Sequence, residues 1–120
     1  MRRSSAIAVL ALLLVAASAL AQGAGRWETR APLPTPRSGY GVAAVRGRIF
    51  VGGGELGRPT TYPENEEFNP RTNTWTARAL MPTPRHGLAA VAVDDRVFTI
   101  SGGPRPGGTF SNTTEVYIPD

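Results

Sequence analysis

The chain repeats one stretch of sequence, and this repeat restricts its fold more than any other feature. "LPTPRSGYGVAAVRGRIFVGGG" begins at Leu33, and "MPTPRHGLAAVAVDDRVFTISGG" begins at Met81. Corresponding residues lie 48 positions apart, and 49 apart after one extra residue enters the second copy. Helical repeat units are mostly shorter and show 3.6-residue apolar spacing, which appears nowhere after residue 21. We therefore predict two β-sheet units, roughly residues 33–80 and 81–120.

Each unit contains segments with strand character in the same order. The small-residue runs "GYGVAAV" and "GLAAVAV" suit an innermost strand. The runs "RIFV" and "RVFTI" are apolar, β-branched and aromatic, which favours a buried strand. Two-residue connections at Arg46-Gly47 and Asp94-Asp95 predict tight hairpins between these strands. The third strands are "EEFNP" and "EVYIP", and the fourth are "RWETR" and "TWTAR". Eight strands in all are predicted, and a unit of about 50 residues with four strands is the size of a propeller blade.

A Gly-Gly pair ends each second strand, and a Glu-x-aromatic-x-Pro segment, a tryptophan and "PTPR" accompany it. This order resembles the kelch repeat of β-propellers. The resemblance implies an all-β fold of about two four-stranded antiparallel blades over residues 22–120. We expect the Gly pairs to let a bulky ring approach the backbone, since glycine carries no Cβ. The residues of this signature are Gly53, Gly54, Gly102, Gly103, Phe68, Tyr117, Trp27 and Trp75.

Kelch propellers generally close with six or seven blades, so two blades cannot form a closed ring. Three explanations are open. The chain is expected to be a fragment of a longer propeller, because the sequence stops before a fourth strand of the second unit. Alternatively, it associates with copies of itself, three chains giving six blades, or it persists as an open two-blade module.

The first 21 residues have the pattern of a secretory signal peptide. Two arginines precede a short apolar stretch, and residues 19–21 read Ala-Leu-Ala, a small-x-small cleavage motif. An uncleaved anchor helix would need roughly 18 or more apolar residues. We therefore predict cleavage near Ala21, secretion or export to the periplasm, and no membrane attachment after cleavage.

Composition narrows the range of partners. The 13 basic residues are all arginine, and loss of Arg2 and Arg3 with the signal peptide lowers the formal charge from +4 to +2. No run of arginines with interleaved aromatic residues occurs, so nucleic-acid binding is not expected. The chain has no cysteine and one histidine, which argues against a disulfide framework and a metal site. We expect neither a metal nor a cofactor.

Antiparallel alternation places the long connections and the "PTPR" segments on one edge of the units, where recognition usually occurs. The candidate ligand-binding residues on this edge are Arg37, Ser38, Arg85, His86, Arg58, Arg105 and Tyr62. Arg37 and Arg85 have two roles open to them. They can hold an acidic ligand bidentately, or they can bind carbonyls and glutamates within the fold, which the repetition favours. A single histidine on a loop, His86, is expected to be a surface residue.

The leading functional hypothesis is a secreted binding module for a protein or a carbohydrate. The alternative is part of a kelch-fold carbohydrate-active enzyme similar to sialic-acid epimerases. The galactose-oxidising copper enzymes of the same fold are excluded, because they require a cysteine-linked tyrosine and histidine ligands. This chain contains no catalytic set of residues: Glu66-Glu67 and Asp94-Asp95 are adjacent acids, which point to opposite faces of a strand or decorate a turn.

Overall fold

The structure is a computed structural model that describes residues 25–57 and 59–120. Its strands all belong to one compact unit, Ala31–Asp120, while a second unit, Met1–Arg30, is described only at residues 25–30. The predicted signal peptide and Arg58 lie outside the described residues. Within the described part of the chain, no helix is long and apolar enough to cross a membrane.

Seven antiparallel strands form two sheets within the described residues. Sheet 1 has the order β1-β2-β3-β4, and sheet 2 has the order β5-β6-β7. The all-β, antiparallel fold predicted from the repeat is therefore confirmed. The strands are β1 (Gly41–Val45), β2 (Arg48–Gly52), β3 (Asn65–Asn69), β4 (Thr74–Ala77), β5 (Ala89–Val93), β6 (Arg96–Ile100) and β7 (Thr114–Tyr117).

Two-residue turns connect the first pair of strands in each sheet. Arg46 and Gly47 have φ angles of 49° and 74°, and Asp94 and Asp95 have φ angles of 47° and 60°. Two consecutive positive φ angles define the type I′ turn, whose twist matches that of the flanking strands. β1 accordingly pairs with β2, and β5 with β6, as the sequence predicts.

The two sheets stack through their first strands. A Cβ on Gly41 would lie 2.8 Å from the Cβ of Ala90, so the small residues of β1 and β5 permit a close approach. Phe50 of sheet 1 and Tyr117 of sheet 2 meet with ring centroids 5.5 Å apart. The core between the sheets consists of Ala43, Val45, Phe50 and Val97, with Ala90 and Tyr117 packed against it.

Each sheet has a second face that the other sheet does not cover. On sheet 1, Val42 is 46% exposed. On sheet 2, four apolar side chains are between 41% and 48% exposed, and the strand register places them on one face. We call this set the outer face of sheet 2: Val91, Val93, Ile100 and Val116. Apolar surface of this kind is normally covered by a neighbouring repeat unit.

The sequence predicts an eighth strand over residues 26–30, and the structure has no strand there. Trp27 is fully exposed instead. β4, the corresponding strand of sheet 1, forms by pairing with β3. No strand precedes residues 26–30 in the described part of the sequence, so this segment lacks the partner that β3 gives to β4. The prediction was wrong because it read strand character from the repeat alone.

Candidate functional site

The two sheets have long loops on one edge and short turns on the other. β2 and β3 are connected by residues 53–64, and β6 and β7 by residues 101–113. We call this side the loop edge. The sequence predicts long loops over residues 55–65 and 104–114. The structure has long loops there, but Asn65 and Thr114 are the first residues of β3 and β7.

Arg37 lies inside sheet 1 and does not reach the surface. Its side chain is 0% exposed and forms an ion pair with Glu66 at 2.5 Å. Its Nε also donates to the carbonyl of Gly53 at 2.6 Å, and Nη2 donates to the carbonyl of Val51 at 3.1 Å. The Tyr62 ring covers the guanidinium, with its centroid 6.0 Å from Cζ. Tyr62 is itself buried, and its hydroxyl donates to a loop carbonyl.

Arg85 repeats this arrangement in sheet 2. Its side chain is 0% exposed, and Nη2 contacts Glu115 at 2.9 Å and the hydroxyl of Thr99 at 2.9 Å. Nη1 donates to the carbonyls of Ser101 at 2.6 Å and Thr113 at 3.0 Å. These carbonyls lie at the ends of the long loop that joins β6 and β7. The arginine therefore ties the start and the end of that loop together.

The donors of both guanidinium groups thus point at acceptors within the fold. Of the two roles left open by the sequence, the geometry supports the structural one for Arg37 and Arg85. A ligand would have to displace Glu66 or Glu115 to reach them, at the cost of an unpaired buried carboxylate.

The Gly pairs allow backbone to approach backbone, which differs from the expected packing of rings. A Cβ on Gly53, where φ is +72°, would collide with the carbonyl oxygen of Arg85 and with the side chain of Leu88. A Cβ on Gly54 would lie 2.6 Å from the carbonyl oxygen of Ser38. The reason is an inter-sheet hydrogen bond, since Gly54 N donates to Arg85 O at 2.8 Å. A Cβ on Gly102 would collide with the carbonyl oxygen of His86 and with Leu88. A Cβ on Gly103 would collide with Thr109 and with the ring of His86.

One polar cluster joins the two long loops. Nδ1 of His86 lies 3.5 Å from Oε1 of Glu55, and Nε2 lies 3.0 Å from the carbonyl oxygen of Arg105. The other carboxylate oxygen of Glu55 accepts from Gly107 N at 3.3 Å. The side chain of His86 is 13% exposed, so it is largely enclosed and not the surface residue expected from the sequence. Among the described residues, no group of three or more acidic or histidine side chains could hold a metal ion.

Comparisons with known proteins find a kelch motif in the sequence and a similar fold among solved structures. A family profile described as Kelch motif matches residues 36–81. The solved structure described as "Structure of YjhT" aligns with 67% of the chain at a TM-score of 0.62 and 21% sequence identity. Residues 36–81 therefore contain a kelch motif, and the fold of the chain is similar to that of YjhT. It spans a quarter of the length of YjhT. No curated protein matches the sequence.

The aromatic residues of the kelch signature are unequally placed. Phe68 and Trp75 pack on each other in sheet 1, with ring centroids 5.0 Å apart. Tyr117, the equivalent of Phe68, is partly buried, and this burial raises the pKa of its phenol above the ordinary value of 10.0. The described part of sheet 2 contains no tryptophan to cover it. Trp27 is exposed to solvent.

The loop edge carries exposed side chains. Phe110, Arg105 and Ser38, which the sequence places on this edge, are exposed, Phe110 at 89%. Sequence analysis missed Leu56, which is 52% exposed, and its position within a long loop was the signal available. It also missed an apolar cleft of about 320 Å³ between the sheets, beside Leu80 and Tyr117. The described residues contain no fourth strand after β7, and this was the available signal for the cleft.

Proposed function

We propose that this protein is a secreted or periplasmic binding module that recognises a protein or a carbohydrate through its loop edge. It performs no chemistry of its own. The observation that supports this proposal is the exposed Phe110, with Leu56 and Arg105, on two long loops of a rigid β-scaffold. Exposed aromatic and arginine side chains are the residues that most often anchor a partner.

Contacts between the loops favour binding because they reduce the entropy lost on association. The hydroxyl of Thr61 donates to the carbonyl of Pro104 at 3.2 Å, which links the first long loop to the second. The contacts of His86 with Glu55 and with the backbone of Arg105 form a second link. The exposed guanidinium of Arg105 is then presented from a restrained loop, and it can pair bidentately with a carboxylate.

The binding proposal is tested by placing a photo-crosslinking amino acid at position 110 in secreting cells and, as a control, at position 71 on the opposite edge. A protein partner should cross-link at position 110 only. Titration calorimetry of the processed protein with acidic sugars, including sialic acid and glucuronic acid, tests the carbohydrate alternative. Cross-linking at neither position, together with no heat from any sugar, would contradict the proposal.

The partner or sugar found in this way allows a quantitative check. Phe110→Ala should weaken its binding by about thirtyfold, the loss of roughly 2 kcal/mol that is typical of a central anchor. Arg105→Ala should weaken it as well. Arg71→Ala, which removes an arginine that is also exposed but lies in the β3–β4 turn, should leave affinity unchanged. Equal effects of Arg71→Ala and Arg105→Ala would show that the loop edge is not the binding surface.

Export is tested separately by determining the N-terminus of the protein recovered from outside the cytoplasm. The expected first residue is Gln22. Replacing Ala19 and Ala21 by leucine should block processing, because the cleavage motif requires small residues. Recovery of full-length protein from the cytoplasm would refute the proposal of export.

The proposal also includes association of the two sheets with further blades. The outer face of sheet 2 and the exposed Val42 on sheet 1 present apolar surface that an adjacent sheet would cover. Further blades can belong to a longer propeller or to a second copy of this chain.

A further inference from the structure

Within the described residues, β7 is an edge strand, and its outward-facing backbone groups have no paired strand. Ser101 N donates to Thr113 O at 2.8 Å, so residues 113, 115 and 117 direct their backbone groups toward β6. By alternation, Thr114 and Val116 direct theirs toward the opposite side, where the described residues contain no paired strand. In sheet 1 the same side of β3 is occupied by β4. A row of unpaired N–H and C=O groups on an edge strand is a template for pairing with another chain.

The apolar cleft lies next to this edge. It is lined by Phe50 of sheet 1, Tyr117 of sheet 2 and the connection from β4 to β5, including Ala79 and Leu80. Its volume is about 320 Å³, which is space enough for an indole ring. An apolar cleft beside a free strand edge fits an extended segment that carries one large aromatic side chain.

Sheet 1 shows what occupies the equivalent position. Trp75 of β4 packs on Phe68 of β3, and its Nε1 donates to the carbonyl of Ala31 at 2.9 Å. In the repeat, Phe68 corresponds to Tyr117 and Ala31 corresponds to Ala79. Tyr117 and Ala79 both line the cleft. The Ala79 carbonyl accepts one hydrogen bond, from Asn65 Nδ2 at 3.3 Å, and it can accept a second. Sheet 2 therefore offers the surroundings of Trp75 without the tryptophan.

The sequence contains a second segment of the type that fills this position in sheet 1. Residues 26–30, "RWETR", align with "TWTAR" of β4 at the constant offset of 48. Trp27 is fully exposed, and no strand is present around it. We propose that the free edge of β7 and the apolar cleft accept residues 26–30 of a second copy of this chain. The added strand is antiparallel to β7, and Trp27 lies on Tyr117 with its indole N–H directed at the Ala79 carbonyl.

Strand addition from a second copy also covers the apolar surfaces left open. In one chain, β4 leads through residues 79–84 into sheet 2, which packs on one face of sheet 1. By the repeat, residues 26–30 of the second copy lead through its residues 31–36 into its own sheet 1. That sheet then packs on the outer face of sheet 2 and buries Val91 and Val93. The same step covers Val42 of the second copy, since Val42 lies on the face of sheet 1 away from the core.

Such an interface is head-to-tail, with a donor segment on one copy and an acceptor edge on the other. Successive additions lead to a ring, and three copies supply six sheets. Further blades of a longer chain would compete for the same edge, since the chain spans a quarter of YjhT. Association of the chain by itself distinguishes these occupants. The inference is independent of the loop edge, whose variants therefore serve as controls.

The first experiment measures the molar mass of the processed chain, residues 22–120, over a range of concentrations by sedimentation velocity. The unsubstituted chain should associate beyond a monomer. Trp27→Ala should raise the dissociation constant at least tenfold. Phe110→Ala, which removes another highly exposed aromatic ring from the loop edge, should leave it unchanged. A monomer at every concentration, or equal effects of Trp27→Ala and Phe110→Ala, would overturn the proposal.

The second experiment is complementation between two defective variants. Val116→Pro removes an N–H from the free edge of β7 but retains Trp27, so this variant is a donor only. Trp27→Ala retains the edge and is an acceptor only. At a concentration where the unsubstituted chain associates and Trp27→Ala no longer does, each variant alone should be a monomer. An equimolar mixture should form a heterodimer and no larger species. No change of mass on mixing would overturn the proposal, provided that both variants retain the β-sheet circular dichroism of the unsubstituted chain.

A synthetic peptide of residues 22–32 provides a test that does not depend on Val116→Pro. The peptide should bind to the Trp27→Ala variant. The emission of the peptide's tryptophan should then shift to shorter wavelength, because its indole enters an apolar cleft. The same peptide with alanine in place of the tryptophan should bind at least tenfold more weakly. Equal affinity of the two peptides would refute the role of Trp27.

Discussion

The buried guanidinium of Arg85 should be among the strongest determinants of stability in sheet 2. We expect Arg85→Ala to lower the free energy of unfolding by about 3–5 kcal/mol, the range for removing one partner of a buried ion pair. The side chain of Arg85 is 0% exposed, whereas that of Glu115 is 21% exposed. Water can therefore solvate part of the Glu115 carboxylate once Arg85 is removed. This favours a loss of stability at the lower end of the range.

The other acceptors add to this loss. The carbonyls of Ser101 and Thr113 each accept a hydrogen bond from Arg85 in a part-buried setting. A fully buried acceptor left without a donor costs about 1–3 kcal/mol, so these two add less than that range. The matched control is Arg46, whose ion pair with Asp95 joins side chains that are 54% and 55% exposed. Pairs of this kind contribute about 0–1 kcal/mol. Arg46→Ala should therefore change the stability by less than about 1 kcal/mol.

The assay is urea unfolding of the processed chain, followed by tryptophan fluorescence. With slopes of about 1–3 kcal/mol per molar urea, the expected loss lowers the midpoint by about 1 M or more. Arg85→Lys keeps the charge but lacks the guanidinium fork, so an intermediate loss is expected, and this variant can be measured even if Arg85→Ala does not fold. Equal midpoints for Arg85→Ala and Arg46→Ala would refute the structural role assigned to Arg85.

Two further predictions concern the Gly pair and the cleft. Gly53→Ala should destabilise the protein more than Gly47→Ala in the same urea assay, because both have positive φ but a Cβ meets the Arg85 carbonyl only at Gly53; equal losses would show that the close approach is unimportant. Burial raises the pKa of Tyr117 above 10.0, so the stability gained from its neutral form is present below pH 10 and is lost as the pH rises through the folded-state pKa. Unfolding measured between pH 9 and 11 should therefore show a steeper loss of stability than in Tyr117→Phe, and identical profiles would contradict the prediction.

The fold could be predicted largely because its signals are local and occur twice. The turn at Asp94-Asp95 has two adjacent residues that tolerate positive φ, and it lies between two apolar runs. The small residues around Gly41 indicate close sheet packing, which the approach of Ala90 explains. Each of these features depends on residues near one another in the sequence, so a single sequence is sufficient to read them.

The candidate site was predicted less well because its contacts are made between distant residues. Arg85 and Glu115 are 30 positions apart and lie on different segments, so the sequence alone left open whether the arginine faces a ligand or the fold. His86 faces Glu55 across the two loops, and sequence spacing does not reveal that contact. The strand predicted around Trp27 is absent for a related reason: a strand forms only where a partner strand is present to pair with it.

Repetition itself separates structural from functional residues in this chain. Arg37 and Arg85 occupy equivalent positions, and each forms a buried ion pair with a glutamate of its own sheet. Both contacts recur because both sheets are packed in the same way. A ligand contacts the loop edge only once, so selection for binding has no reason to act equally on both copies. His86 replaces Ser38, and Phe110 corresponds to Thr61 at the offset of 49. Residues of the loop edge that differ between the two copies are therefore better candidates for recognition than the arginines, which are the same in both copies.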